Sequence, residues 1–140
     1  MVDVAYVALG SNLGDRAAML ALARTRLASL PGTRVLAASA VEETAAIGPV
    51  PQGPFLNQML RLETALPPRA LLDALHEIER AAGRTRDVRW GPRTLDLDIV
   101  LYERQATNEP GLRVPHPELR NRDFWLRELA ELGAPIEAAS

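Results

Sequence analysis

The sequence predicts an α+β fold: a four-stranded antiparallel sheet with helices packed on it and long loops between them. Three observations point that way. Runs at 4–9, 34–41, 55–64 and a fourth ending near Tyr102 have the alternating or all-apolar character of strands. Two apolar repeats of helical spacing stand between the first and second runs and between the third and fourth. Pro and Gly clusters punctuate the joins. At 140 residues the chain has the length of one domain, 1–140, with a proper core.

The elements follow in order. Residues 4–9 form a short apolar strand, and Gly10-Ser11-Asn12-Leu13-Gly14-Asp15 turns the chain. That turn lacks the GxxxxGK[ST] pattern of a phosphate loop and reads as a tight strand–helix turn. Asp15 can cap the helix whose stripe is Leu20, Ala23, Leu27 and Leu30, and Pro31-Gly32 stops it. Residues 34–41 are the second strand. The stretch 42–54 holds three Pro and two Gly and is read as a long loop without a regular element. In 55–64, Phe55, Asn57, Met59, Arg61 and Glu63 share one face of a third strand, and Leu56, Gln58, Leu60 and Leu62 share the other. Pro67-Pro68 opens a second helix with the core stripe Leu71, Leu75, Ile78 and Ala82, ended by Gly83. Leu72, His76 and Glu79 lie on a neighbouring stripe, ordinarily a solvated helix face. After the fourth strand, 103–113 is polar and turn-like, Val114-Pro115-His116-Pro117 is too proline-rich for a helix interior, and 119–132 makes a last helix closed by Gly133 and Pro135. The order β-α-β-β-α-β plus a helix is ferredoxin-like. It predicts a sheet covered by helices on one face and open to loops and a ligand on the other. Many activities share that order, so it names no function by itself.

Composition narrows the classes. A net charge of −2 gives no support for a general nucleic-acid or anionic-membrane binder. All sixteen basic residues are Arg, so any cationic catalytic role falls to Arg. Without Cys there is no disulfide framework and no thiolate metal site. The opening Met-Val-Asp-Val-Ala-Tyr lacks the features of a signal peptide. No run reaches the ~20 apolar residues of a membrane span. The expected location is the cytoplasm, and the expected state is a monomer.

The most informative stretch is 84–100. Arg84, Arg86, Arg89 and Arg93 crowd a loop, and Asp96 and Asp98 follow on an alternating run. Strand geometry puts both carboxylates on one face with Cα atoms roughly 6.6 Å apart. Leu95, Leu97, Ile99 and Leu101 then face the core. Paired carboxylates suit Mg²⁺, which takes one or two of them together with phosphate oxygens. Guanidinium forks suit those same phosphates. Each half alone is commonly just a solvated strand face or a solvated connector. Together they suggest a Mg²⁺–polyphosphate site, with a flat ring near Trp90 or Phe55. Residue types alone leave phosphoryl, pyrophosphoryl and nucleotidyl transfer open.

The run Arg89-Trp90-Gly91-Pro92-Arg93-Thr94-Leu95-Asp96-Leu97-Asp98-Ile99 resembles the signature of the 6-hydroxymethyl-7,8-dihydropterin pyrophosphokinases of folate synthesis. The likeness extends from about Val4 to Phe124. It implies transfer of pyrophosphate from ATP to the pterin hydroxymethyl group with release of AMP. It also implies two Mg²⁺ ions on Asp96 and Asp98, and Arg84 and Arg93 acting in the transfer step from a mobile loop. By the same resemblance, Leu72, His76, Glu79, Arg84, Arg86, Trp90, Arg93, Ile99, Arg113, His116 and Arg122 attend ATP. Thr44, Ala45, Ile47, Phe55, Asn57, Trp90, Asp96 and Phe124 attend the pterin, with Phe55 and Phe124 sandwiching the ring. His76 stands where Gln is familiar, Phe55 where Tyr is, and Ala45-Ala46 where prolines are. These departures leave room for a paralogue acting on a modified pterin. A non-catalytic ligand- or RNA-binding module is the remaining alternative. The few aromatics and the acidic fourth strand speak against it.

Overall fold

The alternating runs assemble into an antiparallel sheet of order β2-β4-β1-β5 in an α+β fold. The structure, a computed structural model, describes residues 2–46, 48–83 and 94–136. Its elements are β1 (Asp3–Ser11), α1 (Arg16–Ala28), β2 (Thr33–Ala38), β3 (Glu42–Thr44), β4 (Phe55–Thr64), α2 (Pro68–Ala81), β5 (Asp96–Tyr102), β6 (Thr107–Glu109), β7 (Leu112–Val114) and α3 (Asp123–Glu131). Among the described residues, no helix is long and apolar enough to cross a membrane.

One face of the sheet meets α1 and α2. Asp15 caps α1, its Oδ1 accepting from the Ala18 N–H at 3.0 Å. Pro68 opens α2, and Gly83, at φ 80°, takes the left-handed turn just past its end. Leu20, Ala23 and Leu27 of α1 and Leu71, Leu75 and Ile78 of α2 pack on Ala5, Val7, Leu9, Leu60, Leu62, Leu97 and Ile99. Each fully buried Leu here contributes about 1.5–3 kcal/mol of transfer free energy.

The first strand runs on through Gly10 and Ser11, which the sequence assigned to the turn, and five larger corrections follow. First, the other face is not left free: α3 packs there, with Trp125, Leu129 and Leu132 on Tyr6, Ala8, Met59, Val100 and Leu101. Second, Leu101 belongs to that face and not with Leu95, Leu97 and Ile99. The register against β1 slips at Tyr6/Val7, where Val7 pairs Ile99 but Tyr6 pairs Leu101, and the bulge flips the phase of β5. Third, the loop 42–54 begins with a strand. β4 outruns β2, and its uncovered edge at Phe55–Asn57 recruits β3. Arg16 and Arg127 hold Glu43 and Glu42 from the two flanking helices, at 2.9 and 2.6 Å. Fourth, the polar stretch 103–113 contains the β6–β7 hairpin, turned by Gly111 at φ 74° and anchored by buried Leu112 and Val114. Fifth, the last helix is broken. A short 3₁₀ turn at Leu119–Asn121 precedes an extended Arg122, and α3 starts after it.

Helix α3 also carries a buried carboxyl. Glu128 is 1% exposed, and among the described residues neither of its oxygens meets a hydrogen-bond partner. Burial, with Glu42 adding to it, pushes this acid up to about 8. Folding therefore favours the protonated form. Its stability contribution is intact below the unfolded value and is lost as pH rises towards about 8. The Glu128→Gln variant should match the parent near pH 4.5 and exceed it at pH 8 by about 1–2 kcal/mol. Urea unfolding at the two pH values checks this. Equal stabilities at pH 8 would contradict it.

Candidate active site

The two carboxylates of β5 sit where the alternation of the strand puts them. Asp96 pairs across β1 with Gly10, and Gly10 pairs on its far side with Asn57 of β4. Two residues along, Asp98 pairs with Ala8, and Ala8 with Met59. Directly paired residues share a face, so Asn57, Asp96 and Asp98 look out from the same side of the sheet. Both aspartates are half-buried. β5 is the last strand of the sheet, and its outer edge is held by a side chain. Glu79 of α2, 2% exposed, accepts the Leu97 N–H at 2.8 Å. That bond fixes the backbone between the two aspartates.

Around Asp98 an imidazole and a guanidinium converge. His116 Nε2 lies 3.7 Å from its Oδ1, and Arg122 Nη1 lies 4.0 Å from its Oδ2. His116 Nδ1 accepts the Glu118 N–H at 3.0 Å, so in the neutral ring the proton sits on Nε2 and faces Asp98. Trp125 aligns both partners. Its ring takes His116 edge-on at 4.9 Å, and the Arg122 guanidinium lies 4.3 Å from its centroid. His116 and Asp98 border a cavity of about 390 Å³ walled also by Leu72, Ile99, Leu112 and Arg113. Asp98 contacts at 3.7 and 4.0 Å are longer than hydrogen bonds and leave its lone pairs available to a metal. Among the described residues, no three His, Cys, Asp or Glu gather into a metal cage. A two-carboxylate donor set suits Mg²⁺, which completes its octahedron with water and phosphate oxygens.

On the other side of Asp96 lies a second group. Asn57 is 6% exposed, and its Nδ2 donates to Thr44 Oγ1 at 2.6 Å. Phe55 stands two residues along the same face of β4, half-buried. Phe124, in the first turn of α3, is half-buried and packs edge-on to Trp125 at 6.2 Å between centroids. The Asn57 amide and the Phe55 ring thus occur on one flank of the carboxylates, and His116, Arg122 and a cavity on the other, with Phe124 joined to the Trp125 that sets them.

Comparison with known proteins decides the family. Residues 6–134 match the model for 7,8-dihydro-6-hydroxymethylpterin-pyrophosphokinase. The chain belongs to that family. It is 43% identical to the 2-amino-4-hydroxy-6-hydroxymethyldihydropteridine pyrophosphokinase of Bacillus subtilis (strain 168), over 98% of this chain and 82% of the relative. Identity to the enzyme of the same name from Pseudomonas aeruginosa is 46%, over 97% of this chain and 84% of the relative. For that of Methylorubrum extorquens it is 46%, over 94% and 84%. The chain is an ATP-dependent pyrophosphokinase.

Within this pyrophosphokinase most of the residues singled out from sequence fall into three sets. Leu72, Ile99, Arg113, His116 and Asp98 line one cavity, and Arg122 reaches Asp98 from beside it. Asn57 and Asp96 lie on either side of Gly10 across the sheet, Thr44 pairs with Phe55 and accepts from the Asn57 side chain, and Ala45 is exposed just past β3. Ile47, Arg84, Arg86, Trp90 and Arg93 lie outside the described residues. His76 is half-buried on α2 and is not part of the cavity wall around Asp98. Glu79 is no solvated helix residue: it is buried against the backbone of β5. Sequence reasoning passed over Trp125, which orders His116 and Arg122. Its only signal was being one of two Trp in the chain, next to Phe124.

Proposed function

We propose that this pyrophosphokinase transfers the β,γ-diphosphate of ATP to the hydroxymethyl oxygen of 6-hydroxymethyl-7,8-dihydropterin, releasing AMP, in the Mg²⁺-dependent step of folate biosynthesis. The observation that carries the proposal is the placement of Asp96 and Asp98 between two unlike flanks: an amide and an aromatic ring at Asn57 and Phe55, and a cavity lined by His116 and Arg113 with Arg122 beside it. The pterin is the substrate after which the relatives are named. The four long strands with α1 and α2 are read as a ferredoxin-like frame.

In the reaction the pterin alcohol oxygen forms a bond to the β-phosphorus. The bond from that phosphorus to the α,β-bridging oxygen breaks, AMP leaves with the electron pair, and the alcohol proton passes to solvent. Asp96 and Asp98 would hold two Mg²⁺ ions, which would lower the cost of the charge that develops on the phosphate oxygens. Asp96, level with Asn57 across β1, stands on the alcohol side; Asp98, beside His116 and Arg122, stands on the nucleotide side. His116 and Arg122 offset phosphate charge. Phe55 and Phe124 sandwich the ring, while Asn57, positioned by Thr44, reads its polar edge beside Ala45, Ile47 and Trp90. Leu72, Ile99, Arg113, His76, Glu79, Arg86 and Trp90 complete the nucleotide side. Arg84 and Arg93 close on the transferring group and, with their loop, exclude water. The working state is a cytoplasmic monomer. Incubation with ATP, Mg²⁺ and the pterin should give its diphosphate ester by mass, with none after EDTA. A monophosphate ester, or no product, would overturn the proposal.

A further inference from the structure

Gly10 sits in the middle of the sheet, where glycine has no backbone reason to be. It lies inside β1, paired on both sides in unbroken register with Asn57 and Asp96. The one irregularity of the β1–β5 pairing is at Tyr6/Val7, away from it. Its φ is not in the left-handed range that six other glycines among the described residues occupy. An L side chain would therefore fit its backbone, and glycine in a strand interior weakens the strand. What remains is the space a side chain would fill. A Cβ at Gly10 would point between two groups, 3.4 Å from Asn57 Oδ1 and 3.4 Å from Phe55 Cδ1, with Phe55 Cε1 at 3.8 Å.

These distances carry information about ligand recognition. The Asn57 carboxamide has its nitrogen tied to Thr44, so its oxygen is the end turned over Gly10. The Phe55 ring edge reaches the same spot from the next position of that face. We propose that Gly10 is a specificity-determining residue for the pterin: the hollow over its Cα is what lets the Asn57 oxygen and the Phe55 ring converge beside Asp96. This inference rests on the proposed function and deepens it. Alanine would touch both groups without a clash, because 3.4 Å is at the edge of ordinary contact. Valine would put two further methyls into the hollow. The ring and the carboxamide would be pushed apart while the strand, which favours β-branched residues, persists.

The test is binding of 6-hydroxymethylpterin, followed by its fluorescence with Mg²⁺ and α,β-methylene ATP present, for wild type, Gly10→Ala and Gly10→Val. Calorimetry gives the affinity for the nucleotide analogue, and thermal unfolding reports the fold. Gly10→Val is expected to weaken pterin binding at least about tenfold, with Gly10→Ala in between and nucleotide affinity unchanged. If Gly10→Val does not fold, Gly10→Ala decides through the same readout, a loss of pterin affinity supporting the role. Variants that bind the pterin as tightly as a pterin-binding wild type would overturn the role of Gly10 alone. A wild type that binds the nucleotide but not the pterin would overturn the substrate reading and this inference with it.

Discussion

Replacing Asp98 by Ala is expected to lower pterin-dependent turnover by about a thousandfold, the upper range for removing one group that stabilises transferring charge. The carboxylate sits half-exposed on the last strand of the sheet, with its oxygens 3.7 Å from His116 and 4.0 Å from Arg122 and not committed to a hydrogen bond with either. Its removal should therefore leave the fold intact. Asp98→Asn keeps the shape and removes the charge, and should fail in the same way. Steady-state rates across a Mg²⁺ titration separate the causes: the loss should persist at saturating Mg²⁺ if the carboxylate positions the ion as well as attracts it. Activity within tenfold of wild type in Asp98→Ala would contradict a role in holding the metal.

The second large effect is expected at Glu79, through the strand. Its carboxylate accepts the Leu97 N–H at 2.8 Å in a place that is 2% exposed. Glu79→Ala takes away that acceptor and leaves a buried donor unpaired, at a cost of about 1.5–3 kcal/mol. Urea unfolding reads this directly. Because Leu97 lies between Asp96 and Asp98, loosening it should also depress kcat, whereas a residue serving only as a nucleotide contact would mainly raise KM for ATP. Glu79→Gln retains an acceptor oxygen and should recover most of both losses. An alanine variant of unchanged stability with a raised KM for ATP would contradict the strand-holding account.

Much of this site was legible because it depends on short periods. The alternation that puts Asp96 and Asp98 on one face is a property of any strand, and the pairing with Gly10 and Ala8 bears it out. The Leu71–Leu75–Ile78 stripe of α2 followed from helical spacing and is buried as expected. What escaped depends on partners far away in the chain. β3, with the sequence Glu42-Glu43-Thr44, is a strand because β4 offers it an edge. Leu101 changes face because of a bulge that arises between two strands, and no pattern within either one encodes it. Glu79 looked like a solvated helix residue because its partner is a backbone N–H 18 residues away. Trp125 was passed over because its role as the wall against which His116 and Arg122 are set depends on contacts that no local pattern encodes.

The most direct test of the central claim is the identity of the nucleotide product. The purified chain would be given ATP, Mg²⁺ and 6-hydroxymethyl-7,8-dihydropterin, and AMP and ADP would be quantified by chromatography against pterin consumed. One AMP per pterin, with no ADP and no AMP when the pterin is omitted, is the predicted result. ADP formed in step with pterin consumption would mean attack at the γ-phosphorus and would contradict the account.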